Sequence, residues 1–196
     1  MNDLYENEIE MPSIEELEEE LQRERIRRGH SKVLRTIILI LIGIIVAVVL
    51  VTVLVFPVMQ ITGSSMARTL NNGDIVVALK TNTFNIGDVI AYEYNNSIQI
   101  KRIIARGGDT VDIDQDGNVF VNGAALEEPY LETKSLGECD IKFPYHVADG
   151  ENFVMGDHRA TSIDSRSSTM GCVKDTDITS RILFRFWPVN TIGTIN

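Results

Sequence analysis

From Thr36 to Phe56 the chain reads TIILILIGIIVAVVLVTVLVF, 21 residues without a charge. As a helix rising ~1.5 Å per residue it covers roughly 31 Å, about one hydrocarbon core. Ile and Val occupy every face with no polar stripe, a poor fit to the core helix of a soluble protein. Cleaved secretory signals carry an apolar stretch of only about 7–15 residues followed by small residues, whereas this run is longer and ends in Phe56-Pro57. The pattern predicts one membrane-spanning helix over residues 36–56.

The flanks orient that helix. Arg23, Arg25, Arg27, Arg28, Lys32 and Arg35 stand against the single acid Glu24 on one side, and nothing basic follows the span until Arg68. Cytoplasmic flanks are the ones enriched in Lys and Arg, so the N-terminus is expected inside and everything after Pro57 outside. Residues 1–35 then form a cytoplasmic tail, its basic juxtamembrane part preceded by nine acids and no base in residues 1–22. Its first ten or so residues are expected to be disordered for lack of anything to bury. Ser13 with Glu16 makes a capping box for a short helix that shares Ile14, Leu17 and Leu21 on one face, with Glu19–Arg23 and Glu24–Arg28 as favourable pairs. With a formal net charge of −10 and no basic half, the chain is not expected to bind nucleic acid.

Residues 58–196 have the size of one domain. Residues 74–79, 88–94, 97–105, 110–113, 118–121, 152–155 and 181–187 are short runs rich in β-formers. Gly73-Asp74, Gly87-Asp88, Gly107-Gly108, Asp116-Gly117 and Asn122-Gly123 punctuate them with turn chemistry. A mainly β extracytoplasmic domain tethered by one N-terminal transmembrane helix is the expected architecture.

Within that domain, GSSMARTLN over residues 63–71 offers a serine, and Lys101-Arg102 follows in the run 97–105. A serine hydroxyl attacks only when a neighbouring base removes its proton, and that base must be unprotonated. Among the histidines, His30 precedes the span and lies on the wrong side of the membrane, leaving His146 and His158. A lysine serves if burial lowers its pKa; about three units corresponds to roughly 4 kcal/mol, within reach of an apolar site. Strand alternation puts Gln99, Lys101 and Ile103 on one face and Ile100, Arg102 and Ile104 on the other. Taken alone, a Lys-Arg pair in a strand is ordinarily what an exposed edge carries to deter aggregation.

GSSMARTL after a span, then IKRIIARGGD, VNGAALEEPYL, MGDHRATSIDSR and Gly171 occur in the order and approximate spacing of the boxes of type I signal peptidases, which the chain resembles from about Met59 to Trp187. The resemblance implies a mainly β fold of the kind shared by signal peptidases and self-cleaving repressors. It implies Ser65 as nucleophile, Lys101 as general base, and Ser162 as the hydroxyl that orients the lysine amine. Asp164 and Arg166 match a buried supporting ion pair, and Asp157 and Arg159 are similarly structural. Met66, Leu70 and Ile100 would make shallow apolar pockets for the small residues that end a secretory signal, the peptide adding as a strand beside the Ser65 and Lys101 segments; plain core packing is the other reading of Met66 and Leu70. The Ser65 backbone N–H is expected in the oxyanion hole, with Gly63 standing where some relatives carry a second donor. Two departures stand out. Arg68 replaces the usual proline, which is expected to loosen the turn behind the nucleophile, and His158 replaces an asparagine.

The implied activity is a membrane-anchored serine endopeptidase that removes signal peptides from secreted preproteins, in the cytoplasmic membrane of a Gram-positive type of bacterium. Its partners would be signal peptides and membrane lipid, with no cofactor and no metal. A peptidase of the same fold dedicated to one substrate, and a non-catalytic membrane-anchored β module, are the alternatives. The segment 124–150 is too short for a large second domain and is expected to be a loop or small extension. Cys139 and Cys172 lie in a compartment that permits disulfides, and their spacing neither requires nor forbids one.

Overall fold

The computed structural model describes residues 13–195, with only the backbone for residues 24 and 26–32. The acidic residues 1–12, the side chains of Glu24 and Arg28, and His30 lie outside what is described. Two compact units divide the chain, residues 1–51 and 52–196.

The first unit belongs to one helix, α1 (Ile14–Val55). Its start follows the capping box: Glu16 N–H donates to Ser13 Oγ at 3.3 Å and Ser13 N–H to Glu16 Oε2 at 3.1 Å. Glu19 and Arg23 form their i,i+4 pair at 3.4 Å. The short helix and the span expected separately are thus a single helix, because the basic segment between them contains no proline and only one glycine to stop it. Residues Val33–Val55 are long and apolar enough to cross a membrane, and the helix ends one residue before the expected Phe56.

The second unit is mainly β. Strands β1 (Val58–Gln60), β2 (Ile75–Leu79), β3 (Val89–Tyr94), β4 (Ser97–Arg106), β5 (Thr110–Ile113), β6 (Val119–Val121), β7 (Ala124–Ala125), β8 (Tyr145–His146), β9 (Glu151–Met155), β10 (Val173–Lys174), β11 (Ile178–Trp187) and β12 (Gly193–Thr194) follow in order. They make an antiparallel sheet in the order β1-β2-β11-β3-β4-β9-β10, with β12 on β11, and a smaller sheet β7-β6-β5-β8. Every long strand expected from the sequence is present. Those missed are two or three residues long, too short to show a period. Segment 124–150, expected as a loop or small extension, adds only β7 and β8 and is otherwise irregular.

Strand β4 is internal, between β3 and β9. From Lys101 to Ala105 both of its faces are buried, so the edge-strand reading of Lys101-Arg102 does not hold. Leu70, Ile61, Met66, Val76, Ala78, Val89, Ala91 and Ile182 form the core cluster beneath the 63–71 loop.

Three fully buried guanidinium–carboxylate pairs tie the segments around β4 together. Arg102 Nε and Nη2 donate to the two oxygens of Asp157 at 3.0 and 2.8 Å. Arg166 grips Asp164 the same way at 2.8 Å on each oxygen, and its remaining N–H groups donate to the carbonyls of Leu136, Arg159 and Ser162. Arg159 pairs not with Asp157 but with Glu128, which also accepts from the Tyr130 hydroxyl at 3.1 Å. Removing one partner of such a pair leaves an uncompensated charge, at a cost of about 3–5 kcal/mol. Asp164→Asn, which strands Arg166, should lower the unfolding free energy by about that amount in denaturant titration.

Candidate active site

Ser65 sits at the head of a tight turn, half-buried. Gly63, at φ +93°, lets the chain enter it; Ala67 N–H bonds Ser64 O at 3.0 Å and Leu70 N–H bonds Met66 O at 2.7 Å. Asn72 Oδ1 accepts from Gly63 N–H, Asp74 accepts from Asn71 N–H, and Arg185 ties Asp74 to the Thr69 carbonyl. The Thr69 hydroxyl reaches Asp157, so the loop is bolted to the Arg102–Asp157 pair under it. The Ser65 N–H has no acceptor among the described residues, which leaves it available to an incoming oxyanion.

Gly156 is the hinge of the site, and the sequence reading gave it no role. It follows Met155, whose register partner on β4 is Arg102, so it lies beside Lys101. A Cβ there would come 2.5 Å from the Ser65 carbonyl oxygen and nearer still to Ser162 Oγ, which only glycine avoids. Its N–H donates to Asp164 Oδ2 at 2.9 Å, and His158 N–H holds the Ser65 carbonyl at 3.0 Å. The turn 156–162 therefore presses the Ser65 loop, Ser162 and the Lys101 segment together.

Lys101 is 2% exposed. Burial pushes its amine below the usual 10.5; Asp164 pulls it back up, Arg166 lowers it further, and Asp157 raises it. Burial prevails because each carboxylate is already taken by its own arginine. Among the described residues no hydrogen bond or ion pair reaches the amine. Ser162 Oγ is buried and also without a partner, so the expected hydrogen bond from Ser162 to the lysine is not formed here. Only that hydroxyl is free to turn, since Ser162 N–H is bound to His158 O and its carbonyl to Arg166.

A groove of about 380 Å³ leads to Ser65, walled by Met59 to Gly63 on one side and Ser97 to Ile100 on the other. The sheet curls so that β1 faces the half of β4 that β9 does not cover, and both present unpaired backbone edges. Met66 and Ile100 line it. Leu70 does not: its side chain is fully buried in the core. Met59, Ile61 and Ile98 are the lining residues the sequence reading passed over, because their roles depend on β1 and β4 meeting.

The sequence pattern of the family described as "Signal peptidase, peptidase S26" matches residues 33–187. This chain belongs to that family. It is 32% identical over 154 residues to signal peptidase I S of Bacillus subtilis (strain 168), covering 72% of this chain and 83% of the relative. Against signal peptidase IB of Staphylococcus aureus (strain COL) it is 30% identical over 178 residues, 80% of this chain and 91% of that one. A crystal structure of a signal peptidase I from Enterococcus faecalis V583 is 27% identical with a TM-score of 0.44, over 50% of this chain and 96% of that one.

For this S26 peptidase, Arg68 is a larger departure from the family pattern than the sequence implied. It adopts φ +80°, a conformation proline cannot take, and its Nη1 donates to Leu131 O at 3.1 Å. The turn is reshaped rather than loosened. His158 projects outward, its Nδ1 3.0 Å from Thr161 Oγ1. The cysteines are free thiols; Cys172 contacts the Tyr145 hydroxyl at 3.8 Å and its thiol is pushed up to about 11 by burial.

Two predictions follow from this geometry. Arg68→Pro, although it restores the family's usual residue, should destabilise the fold by about 3 kcal/mol and lower activity, while Arg68→Gly retains both; thermal unfolding and reporter cleavage compare them. Lys101→Met should stabilise the protein. Below its depressed folded-state pKa the buried lysine is charged in both states and burial costs most; as pH rises toward 10.5 the cost fades. The gain in melting temperature should therefore be larger at about pH 6 than at about pH 10.

Proposed function

We propose that this chain is a membrane-anchored serine endopeptidase that removes signal peptides, with Ser65 as nucleophile and Lys101 as general base. The observation that carries the reading is the buried Lys101, with no counter-charge of its own. It lies on the strand next to Gly156, which packs against the Ser65 carbonyl, and one residue beyond Ile100, which lines the groove that opens on Ser65. The names of the relatives supply the substrate class.

In the reaction the neutral amine takes the Ser65 proton as Oγ adds to the scissile carbonyl, and the developing oxyanion is met by the Ser65 N–H. The resulting ammonium returns its proton to the leaving amine as the C–N bond breaks. Water then hydrolyses the acyl-serine by the same route, with Lys101 again the base. The peptide lies extended between β1 and the free half of β4, adding a strand to each edge. Ser162 turns its hydroxyl to the amine when the site is loaded, directing the lone pair without recharging it.

The charge of the tail and the apolar helix support a location for the domain. The basic residues from Arg23 to Arg35 keep the N-terminus inside, so residues 58–196 form the catalytic domain on the outer face of the cell membrane, and residues 1–35 stay in the cytoplasm. Cleavage thus takes place where a preprotein emerges from the bilayer.

Ser65→Ala and Lys101→Ala should each reduce processing of a reporter preprotein by about 10³-fold or more while circular dichroism shows a retained fold. Wild-type kcat/KM should rise with pH along an acid limb whose midpoint lies below 10.5, because only the deprotonated amine acts. Cleavage at the wild-type rate in either variant would remove that residue from its role.

A further inference from the structure

Arg68 and His158, the two residues that depart from the family's usual pattern, converge. They line one polar depression of about 760 Å³ together with Ala67, Asn71, Glu132 and Ala160. It shares no lining residue with the strand-walled groove; the groove ends at Ser65 and Met66, and the depression begins at Ala67. The bond from His158 N–H to the Ser65 carbonyl fixes its floor to the nucleophile. A peptide whose residues before the scissile bond fill the groove carries those after it past Ser65, and this is the depression that adjoins it there.

The charges in it are few and held in place. The Arg68 backbone is set by its left-handed conformation and Nη1 by Leu131 O, which leaves Nε and Nη2 without acceptors among the described residues. Glu132 is exposed on the same depression and makes no ion pair with Arg68. The ring of His158 is turned by its Thr161 contact, with Nε2 left for a ligand. Asp157 on the floor is consumed by Arg102.

We propose that Arg68 makes this peptidase selective for the residues just after the cleavage site, favouring Asp or Glu among the first two residues of the released chain, with His158 as a second polar contact and Glu132 opposing. An arginine donates to a carboxylate from two nitrogens at once, which a lysine or a small residue on the substrate does not accept. Family members with proline at this place have no charge to offer there. The inference rests on the signal-peptidase reading.

The test uses the full-length protein in detergent and two reporter preproteins identical except for Asp-Asp or Lys-Lys immediately after the cleavage site. Wild type should cleave the acidic reporter with a kcat/KM about two- to fivefold higher at low ionic strength, the size expected of an exposed charge pair, and the ratio should shrink in high salt. Arg68→Asn, which tolerates the left-handed backbone, should bring the ratio to about one, Arg68→Glu should reverse it, and Glu132→Gln should widen it. Equal rates on the two reporters in wild type, or an acidic preference that survives Arg68→Glu, overturn the proposal. If wild type cleaves neither reporter, the signal-peptidase reading falls with it.

Discussion

An amine taken out of water with no carboxylate of its own is the constraint around which this domain is organised. Lys101 lies on an internal strand within the influence of two carboxylates, Asp164 and Asp157, and either one left unpaired would recharge it. Each is instead claimed by an arginine, Arg166 and Arg102, while a third, Arg159, holds Glu128. Buried ion pairs contribute little net stability, so their worth here lies in specificity. They cancel charge locally, fasten the turn 156–166 to β4 through Arg102–Asp157 and to the 124–150 segment through Arg159–Glu128, and leave desolvation as the dominant influence on the lysine.

The same segment packs against both the Ser65 loop and the strand that carries Lys101. Gly156 has no side chain because the Ser65 carbonyl and the Ser162 side chain occupy the space where one would go. The curl of the sheet then sets β1 opposite the uncovered half of β4, making a groove of two strand edges that ends on Ser65. In the proposed reaction an extended peptide would satisfy those edges in the way a strand does, which would make the recognition largely independent of its sequence. Discrimination has to come from the small pockets along the groove and from whatever lies past Ser65, where this chain has Arg68 and His158 in place of the usual residues.

Several of these features were readable in the chain. The capping box at Ser13 and Glu16, the long strands and the apolar span all carry periodic or local signals, and local signals survive folding. Glu128 carries no local signal of its own, since nothing in Leu126-Glu127-Glu128 says which acid turns inward or that Arg159 waits for it. Asp157 and Arg159 stand two apart on a turn, yet each finds a partner on another segment. Leu70 follows the nucleophile closely enough to pass for a pocket residue, and its burial in the core under the loop is a matter of which side of the turn it occupies. Arg68 misled for a backbone reason: the absence of proline suggests slack, whereas the loop takes a left-handed conformation.

What the sequence determined by itself was the anchor, the β character of the rest, and the identity of the candidate serine and lysine, because hydropathy, alternation and short motifs act over a few residues. Tertiary structure alone decided that both faces of β4 are dry at Lys101, that two arginines neutralise the two carboxylates acting on it, and that two strand edges far apart in the chain form one groove. Those outcomes depend on contacts between segments separated by tens of residues, and no local pattern encodes which distant partner a buried charge will meet.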